Sequence, residues 1–287
     1  MRIPESLQVL LDDGIIDEVR RQLKSGKEAS VFVVRCGREI RCAKVYKDMG
    51  TRSFQARAQY QEGRKVRGSR QARAMAKSTS FGRKEQEAAW KNTEVDALYQ
   101  LVAAGVRVPK PFGFYSGVLL MELVTDAEGH SAPRLGEVAL SPEQAREFHA
   151  FLVRQVVRML CVGLIHGDLS EFNVLVGEDG PVIIDLPQAV NAAANNNALA
   201  MLQRDVGNIT ETLGRFAPEL LATDYANEMW ALFQQGVLLP ETPLTGVFVK
   251  DETAANVDEV FLAIDEAREE AIRRELARAA ALEPHDD

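Results

Sequence analysis

Residues 166–175 read HGDLSEFNVL, and residues 182–185 read VIID. The first stretch contains a carboxylate, Asp168, and an amide five positions later, Asn173. The second stretch places another carboxylate, Asp185, at the end of an apolar run with strand character. In phosphoryl transfer, one Asp orients the attacking hydroxyl and accepts its proton, while an Asn and a second Asp hold Mg²⁺ against the phosphates. These residues therefore predict a phosphoryl-transfer site that works by positioning and charge neutralisation.

Single acidic residues in loops usually only bind water or cap a turn, so either Asp alone would predict little. The combination of Asp168, Asn173 and Asp185 at this spacing is what favours a catalytic site. His166, which opens the same stretch, is interpreted as a structural residue that packs and hydrogen-bonds the loop. We do not expect it to act as a general base.

Lys44 lies within a predicted strand over residues 40–46, between neighbours that favour burial. A half-buried ammonium group needs a partner, because an unpaired charge away from water is costly. Glu94, on a helix predicted over residues 85–104, is the best candidate. Such a pair would position the α- and β-phosphates of a nucleotide. The alternative, a surface lysine on an edge strand, is less favourable once the acid and amide residues above are present in the same chain.

Residues 25–30 read SGKEAS and form a predicted turn one hairpin before Lys44. The turn has one Gly, lacks the upstream Gly of a P-loop and follows no predicted strand, so the P-loop pattern is not met. Its position favours a phosphate cover in which main-chain N–H groups and a serine hydroxyl face the nucleotide. We therefore predict nucleotide contacts from Ser25, Gly26, Lys27 and Ser30.

The remaining pattern predicts a β-rich first half followed by a helical second half. A capping box with Pro at the first helical position starts a core helix at Ser141, and this helix ends at Gly163. The triplet Ala217-Pro218-Glu219 is interpreted as a helix start rather than as a kinase substrate-segment motif, because no suitable Asp follows it. The other predicted elements are one or two short helices over 5–23, strands at 31–34, 112–114 and 118–123, an Ala/Asn-rich loop at 189–198 and helical segments from there to the end, with a charged helix over 257–282.

This order predicts an α+β, two-lobed protein-kinase-like fold, with an N-terminal antiparallel β-sheet lobe and a helical C-terminal lobe. The predicted domains are an N-terminal nucleotide-binding lobe over 1–124, a helical catalytic lobe over 125–250 and a charged C-terminal helix over 251–287. The first lobe contains an N-terminal helix and a basic insertion at 47–84 with eleven basic and two acidic residues. That insertion is most simply a solvated surface. Contact with RNA phosphates or with an acidic partner is the alternative.

The composition is that of an ordinary globular protein, with 46% hydrophobic and 26% charged residues and a net charge of −8. The three cysteines show no metal-ligand spacing and are interpreted as free buried thiols in a reducing compartment. No run reaches the roughly 18 apolar residues of a membrane span. A cytoplasmic protein with no membrane partner is therefore expected.

The sequence resembles the RIO family of atypical protein kinases, and within it the first subfamily and bacterial members. The resemblance covers roughly residues 15–215. The most specific matches are the catalytic stretch at 166–175 and the turn at 25–30. The other matching segments are AKVY at 43–46, residues 90–106, LMEL at 120–123, APRL at 132–135, IIDLPQ at 183–188 and RDVGNI at 204–209.

The resemblance implies a compact kinase fold that lacks the usual activation segment, with ATP and Mg²⁺ as cofactors. It implies that Asp168 is the catalytic Asp, that Asn173 and Asp185 hold the metal, and that Lys44 contacts the phosphates. Members of the family can form an aspartyl-phosphate on the metal-binding Asp, which is Asp185 in this sequence.

The resemblance also implies how adenine binds. Main-chain groups of Glu122 and Val124 would meet the base in the hinge, and Met121 would lie beside them. Eukaryotic and archaeal relatives act in maturation of the small ribosomal subunit, which makes a ribosomal particle an expected partner through residues 47–84.

Three functions remain open at this point. The leading prediction is a Mg-ATP-dependent serine/threonine protein kinase or ATPase, acting on a protein substrate or on itself. The second is a small-molecule phosphotransferase of the aminoglycoside-kinase or choline-kinase type, which would favour a large acidic pocket in the C-terminal lobe. The third is a ribosome-associated binding module switched by ATP occupancy. Multiple turnover on a protein substrate would separate the kinase from an ATPase.

Overall fold

The computed structural model describes residues 3–26, 29–47 and 94–249. All the elements below lie within Met1–Val247, one of the two units into which the chain divides, the other being Phe248–Asp287. Four of the predicted features lie outside the described residues. They are Lys27, the predicted insertion at 47–84 beyond residue 47, the first part of the helix predicted from residue 85, and the predicted helix over 257–282.

The first half of the fold is an antiparallel sheet of five strands in the order β1-β2-β3-β5-β4. Helix α1 lies on one face of this sheet, and helix α2, which covers residues 94–103, lies on the other. The elements are α1 Glu5–Asp12, β1 Glu18–Ser25, β2 Ala29–Cys36, β3 Glu39–Tyr46, β4 Pro111–Tyr115 and β5 Val118–Glu122.

The alternation of side chains along β3 decides which residues lie on the face of the sheet that carries α2. Ala43 and Val45 pack into the cluster under α1. Because successive side chains of a strand point to opposite faces, Lys44 and Tyr46 lie on the other face, toward α2. Strand β3 pairs with β2 on one side and with β5 on the other. In the β4–β5 hairpin both Ser116 and Gly117 have positive φ, as a two-residue turn requires.

The helix prediction over residues 5–23 is correct only for its first part. Residues 5–12 form α1, but Glu18–Ser25 form β1, which pairs antiparallel with β2. The ambiguity arises because Val19 and Leu23 are four residues apart, a spacing that places them on one face of a helix and also on one face of a strand. The turn at 25–30 therefore does follow a strand, contrary to the sequence-based expectation.

The second half is mainly helical and confirms the predicted α+β arrangement. Helix α3 begins with the predicted capping box between Ser141 and Gln144, and it is buried along most of its length. A 3₁₀ helix starts at Pro218, in agreement with the prediction of a helix start at this triplet. Residues 235–249 contain neither helix nor strand, so the prediction of helical segments beyond this point is wrong for the part described. The elements are a 3₁₀ turn Leu135–Glu137, α3 Pro142–Cys161, β6 Leu164–Ile165, β7 Val174–Gly177, β8 Gly180–Ile183, β9 Val190–Asn191, α4 Ala198–Gly214, a 3₁₀ helix Pro218–Ala222 and α5 Tyr225–Gln234.

The connection from Asp185 to α4 is short. Strand β9 pairs antiparallel with β6 immediately before the catalytic stretch, and α4 begins at Ala198. Residues 186–197 therefore leave no room for a long activation segment, as the fold prediction stated.

The prediction of free buried cysteines has a mixed outcome. The cysteines are free, but only Cys42 is buried, while Cys36 and Cys161 are partly exposed. Among the helices of the described residues, none has both the length and the apolar character needed to cross a membrane.

Candidate active site

A tight hairpin brings Asn173 beside Asp185. Val174 on β7 pairs with Ile183 on β8, and the N–H of Ile184 donates to the carbonyl oxygen of Asn173 at 2.9 Å. The six residues that separate the two motifs in the sequence, 176–181, are thus folded back in the β7–β8 hairpin. Asp185 has a φ of +68°, which is uncommon for a residue other than Gly and is the kind of backbone feature that occurs at functional sites.

Asp168 lies next to Asn173 with its carboxylate exposed. The side-chain amide of Asn173 donates to the main-chain oxygen of Asp168 at 2.8 Å and lies 3.5 Å from its Oδ2 atom. His166 is buried and holds the loop, as predicted: its Nδ1 accepts from the N–H of Asp168 at 3.3 Å, and its Nε2 lies 3.0 Å from the carbonyl oxygen of Ile184. Asp168 is thereby tied to the residue that precedes Asp185.

Lys44 pairs with the predicted Glu94 and also with Asp185. Its Nζ lies 2.5 Å from Oε1 of Glu94 and 2.9 Å from Oδ1 of Asp185. Burial alone would lower the pKa of Lys44, but the two carboxylates outweigh burial and raise the pKa above its usual value. For Asp185, burial would raise the pKa, yet the ammonium of Lys44 holds it below the usual value. Both groups therefore stay charged at neutral pH.

The oxygen atoms at this site are of the kind that Mg²⁺ prefers. Asp185 offers a half-exposed carboxylate, and the amide nitrogen of Asn173 is turned toward Asp168, which leaves its Oδ1 as a further oxygen ligand. Mg²⁺ is commonly bound by one or two carboxylates together with phosphate oxygens and water. Within the described residues, no three His, Cys, Asp or Glu side chains form a metal site of their own. The donor set thus fits a metal shared with a nucleotide.

Helix α4 holds residues 166–175 in place through the side chain of Asp205. This carboxylate is buried and accepts from the N–H of Gly167 at 2.7 Å and from the N–H of Leu169 at 2.9 Å. Burial raises the pKa of Asp205, although nearby His166 and the two N–H donors oppose that change. The side-chain amide of Asn208 donates to the carbonyl oxygen of Leu169 at 2.9 Å, which fixes the next peptide along the chain. Together these bonds fix the main chain on both sides of Asp168.

We expect Asp205→Asn to slow phosphoryl transfer about tenfold and to lower the free energy of unfolding by about 3 kcal/mol, since hydrogen bonds to a charged group are worth roughly 1.5–3 kcal/mol each. An amide keeps one acceptor but turns its NH₂ group toward a second donor. Urea unfolding and initial rates would measure the two effects. Glu211→Gln, on the exposed side of the same helix, is the matched control. Equal stability of the two variants would contradict this role for Asp205.

The predicted phosphate cover is the turn between β1 and β2. The hydroxyls of Ser25 and Ser30 lie 3.3 Å apart, and the N–H of Gly26 donates to the carbonyl oxygen of Ala29 at 2.8 Å. Lys47 donates to the Ser25 hydroxyl at 2.9 Å and to the carbonyl oxygen of Gly26 at 2.7 Å. The ammonium group of Lys47 thus lies at this turn. Phosphate oxygens of a nucleotide could take the place of the Ser25 hydroxyl and the Gly26 carbonyl as its acceptors.

The predicted hinge follows β5, and an ion pair anchors it. Arg107 binds both carboxylate oxygens of Glu122, at 2.6 and 2.9 Å. Burial would raise the pKa of Glu122, but the hydrogen bonds from Arg107 outweigh burial and lower it. The N–H of Glu122 already donates to the carbonyl oxygen of Lys110 at 2.8 Å, and the carbonyl oxygen of Val124 accepts from Ala132 at 3.0 Å. Glu122 and Val124 are the two residues predicted to contact adenine. The N–H of Glu122 and the carbonyl oxygen of Val124 are thus already hydrogen-bonded within the protein.

A small pocket lies beside the Lys44–Glu94–Asp185 cluster and reaches Met121 near the end of β5. Met121 forms part of its wall, whereas Ser25, Gly26, Ser30, Glu122 and Val124 do not. Its wall is apolar apart from the two carboxylates and the ammonium of the ion-paired cluster. The lining residues are Lys44, Glu94, Leu98, Pro109, Leu119, Met121, Ile184, Asp185 and Leu186.

Sequence reasoning did not identify Asp205, Arg107 or Tyr46 as parts of the site. For Asp205 a signal was available, because it lies on the buried face of α4 with Leu202 and Val206. A carboxylate on an otherwise apolar helix face needs buried donors. Arg107 offered no comparable signal, because its partner Glu122 belongs to a different element and only the fold brings the two together.

The family model of the RIO domain matches residues 30–226. The RIO-type serine/threonine-protein kinase Rio1 of Haloferax volcanii is 34% identical over 209 residues, which cover 72% of this chain and 67% of that protein. The human serine/threonine-protein kinase RIO1 is 31% identical over 70% of this chain. The RIO1 kinase of Chaetomium thermophilum is 30% identical over 74% of this chain. The alignments cover only 34% and 42% of these two eukaryotic proteins.

Proposed function

Since this chain belongs to the RIO family of protein kinases, we propose that it is a Mg-ATP-dependent serine/threonine kinase or ATPase. The observation that carries the proposal is the joining of two groups of residues in one cleft. Lys44 of the sheet contacts Asp185, and the hairpin sets Asp185 beside Asn173 and Asp168. These contacts support a site in which Lys44 binds phosphate, Asn173 and Asp185 bind the metal, and Asp168 acts as the base.

Each residue has a role that follows from its position. Lys44, held by Glu94, binds the α- and β-phosphates, and the turn at 25–30 covers them. Asn173 and Asp185 would hold Mg²⁺, which would supply neutralisation of the charge on the phosphates. Asp168 orients the attacking hydroxyl and takes its proton as the oxygen bonds to the γ-phosphorus and ADP leaves. The exposed position of its carboxylate suits a group that must meet a substrate.

The acceptor of the phosphoryl group is the open part of this proposal. One acceptor is a serine or threonine hydroxyl of a protein substrate or of the chain itself. The other is Asp185, whose carboxylate would bond to the γ-phosphorus as the bond to ADP breaks, after which water would hydrolyse the acyl phosphate. The first gives a protein kinase, and the second gives an ATPase cycle.

Incubation with γ-labelled ATP and Mg²⁺ distinguishes these outcomes. A label that hydroxylamine releases, and that is absent from Asp185→Asn, would indicate an aspartyl-phosphate. A label stable to hydroxylamine but released by alkali would indicate phosphoserine or phosphothreonine. If wild-type protein shows no label, no ATP hydrolysis and no transfer to protein substrates, the proposed function is wrong.

A further inference from the structure

Tyr46 makes a second contact to the glutamate that pairs with the phosphate-binding lysine. Lys44 and Tyr46 are two residues apart on β3, so their side chains lie on the same face of the sheet. The carboxylate of Glu94 is shared between them. Its Oε1 is 2.5 Å from the ammonium of Lys44, and its Oε2 accepts from the hydroxyl of Tyr46 at 2.8 Å. One strand therefore binds both oxygen atoms of a helix-borne carboxylate.

The three groups are shielded from water, which makes their arrangement energetically important. Lys44 is 9% exposed, Tyr46 is 6% exposed and Glu94 is 4% exposed. A buried carboxylate oxygen without a donor costs far more than an exposed one, because it cannot recover its hydration. Burial and the neighbouring Glu94 carboxylate raise the pKa of Tyr46, so its hydroxyl stays protonated and remains a donor.

Asp185 competes with Glu94 for the same ammonium. Lys44 contacts Asp185 at 2.9 Å, and a lysine drawn fully onto that carboxylate would occupy the oxygen needed for the metal. The orientation of Glu94 decides how Lys44 divides its donors between the two acids. A donor that fixes Oε2 of Glu94 therefore also fixes the direction in which Oε1 faces Lys44.

We propose that Tyr46 is a positioning residue that locks Glu94 onto Lys44 and thereby docks helix α2 against β3 in the arrangement needed for catalysis. This inference rests on the proposed function. The helix is then held in place by two buried contacts to one strand instead of one.

The hydroxyl can be tested separately from the ring. The ring of Tyr46 packs edge-on against Phe114, with centroids 6.1 Å apart, and Tyr46→Phe keeps that packing. We expect Tyr46→Phe to lower kcat/KM for ATP about tenfold, equivalent to about 1.4 kcal/mol. Tyr115→Phe, at the partly exposed end of β4, is the matched control and should retain wild-type activity.

A double-mutant cycle with Glu94→Ala separates positioning from general stability. In the Glu94→Ala background the hydroxyl has no carboxylate to hold, so adding Tyr46→Phe should change kcat/KM by less than about twofold. A purely structural tyrosine would give the same tenfold loss in both backgrounds, and that result would overturn the proposal. Wild-type activity in Tyr46→Phe would also overturn it.

The same cycle measured by urea unfolding does not depend on catalysis. Coupling between Tyr46 and Glu94 in the free energy of unfolding supports the lock, whereas additive effects of the two substitutions contradict it. If the wild-type chain transfers no phosphoryl group, the proposed function fails. The unfolding cycle still decides whether Tyr46 holds Glu94 in place.

Discussion

Asp168→Asn is expected to lower the rate of phosphoryl transfer about 1000-fold, within the range that a general base contributes. The substitution keeps the size of the side chain and removes its negative charge and basicity. Asp168 is exposed, and the loop around it is held by other residues, namely His166, Asp205 and Asn208. The loss should therefore appear in the chemical step and not in folding.

Binding measurements complete this test. In its proposed role Asp168 acts mainly in the transition state, so the Kd for ATP should change no more than a few-fold. Asp179→Asn, on the exposed turn between β7 and β8, is the control for an Asp substitution in the same region and should behave like wild type. A loss of ATP binding as large as the loss of rate would contradict the assigned role.

The second large effect is expected for Asp185→Asn. Its carboxylate contacts Lys44 and lies beside Asn173, and the proposed function assigns it the metal as well as the contact to the phosphate-binding lysine. We expect a loss of about 1000-fold in phosphoryl transfer, since electrostatic stabilisation by one such group is worth about 10²–10³ and the metal depends on it. Rates measured over a range of Mg²⁺ concentrations would show a much higher requirement for the metal.

Asp185→Asn also tests whether Asp185 is the residue that accepts the phosphoryl group. An amide at position 185 cannot form an acyl phosphate by the proposed route, so a hydroxylamine-labile label should disappear. Lys44 keeps Glu94 as its partner in the variant, and the fold should be retained. Wild-type rates and an unchanged Mg²⁺ dependence would show that Asp185 is not the metal ligand.

The sequence predicted the residues of the candidate site better than it predicted the contacts that hold those residues in position. Lys44 and Glu94 were paired on the argument that a half-buried charge needs a partner, and the structure places them 2.5 Å apart. That argument works because desolvation cost is local and can be read from the neighbours of a residue. The same argument missed Tyr46, since a tyrosine on a buried strand face needs no special explanation from sequence.

Residues 18–23 show where pattern reasoning fails. Their apolar spacing of four fits both a helix and a strand, and only pairing with β2 selects the strand. Pairing is a long-range property that the local sequence does not contain. The consequence for the site is direct, because β1 forms one side of the turn that carries Ser25 and Gly26.

The sequence by itself determined which residues could perform phosphoryl transfer and that they belong to a sheet-plus-helix fold. Residue type and spacing suffice for this, because hydrogen-bonding and ionic chemistry is a property of individual side chains, and periodicity reports their local structure. Only the tertiary structure decided what holds those residues in place. Asp205 under the catalytic loop, Arg107 on Glu122 and Tyr46 on Glu94 each act through a partner distant in sequence. Such contacts depend on burial and on the meeting of separate elements, and folding alone brings them about.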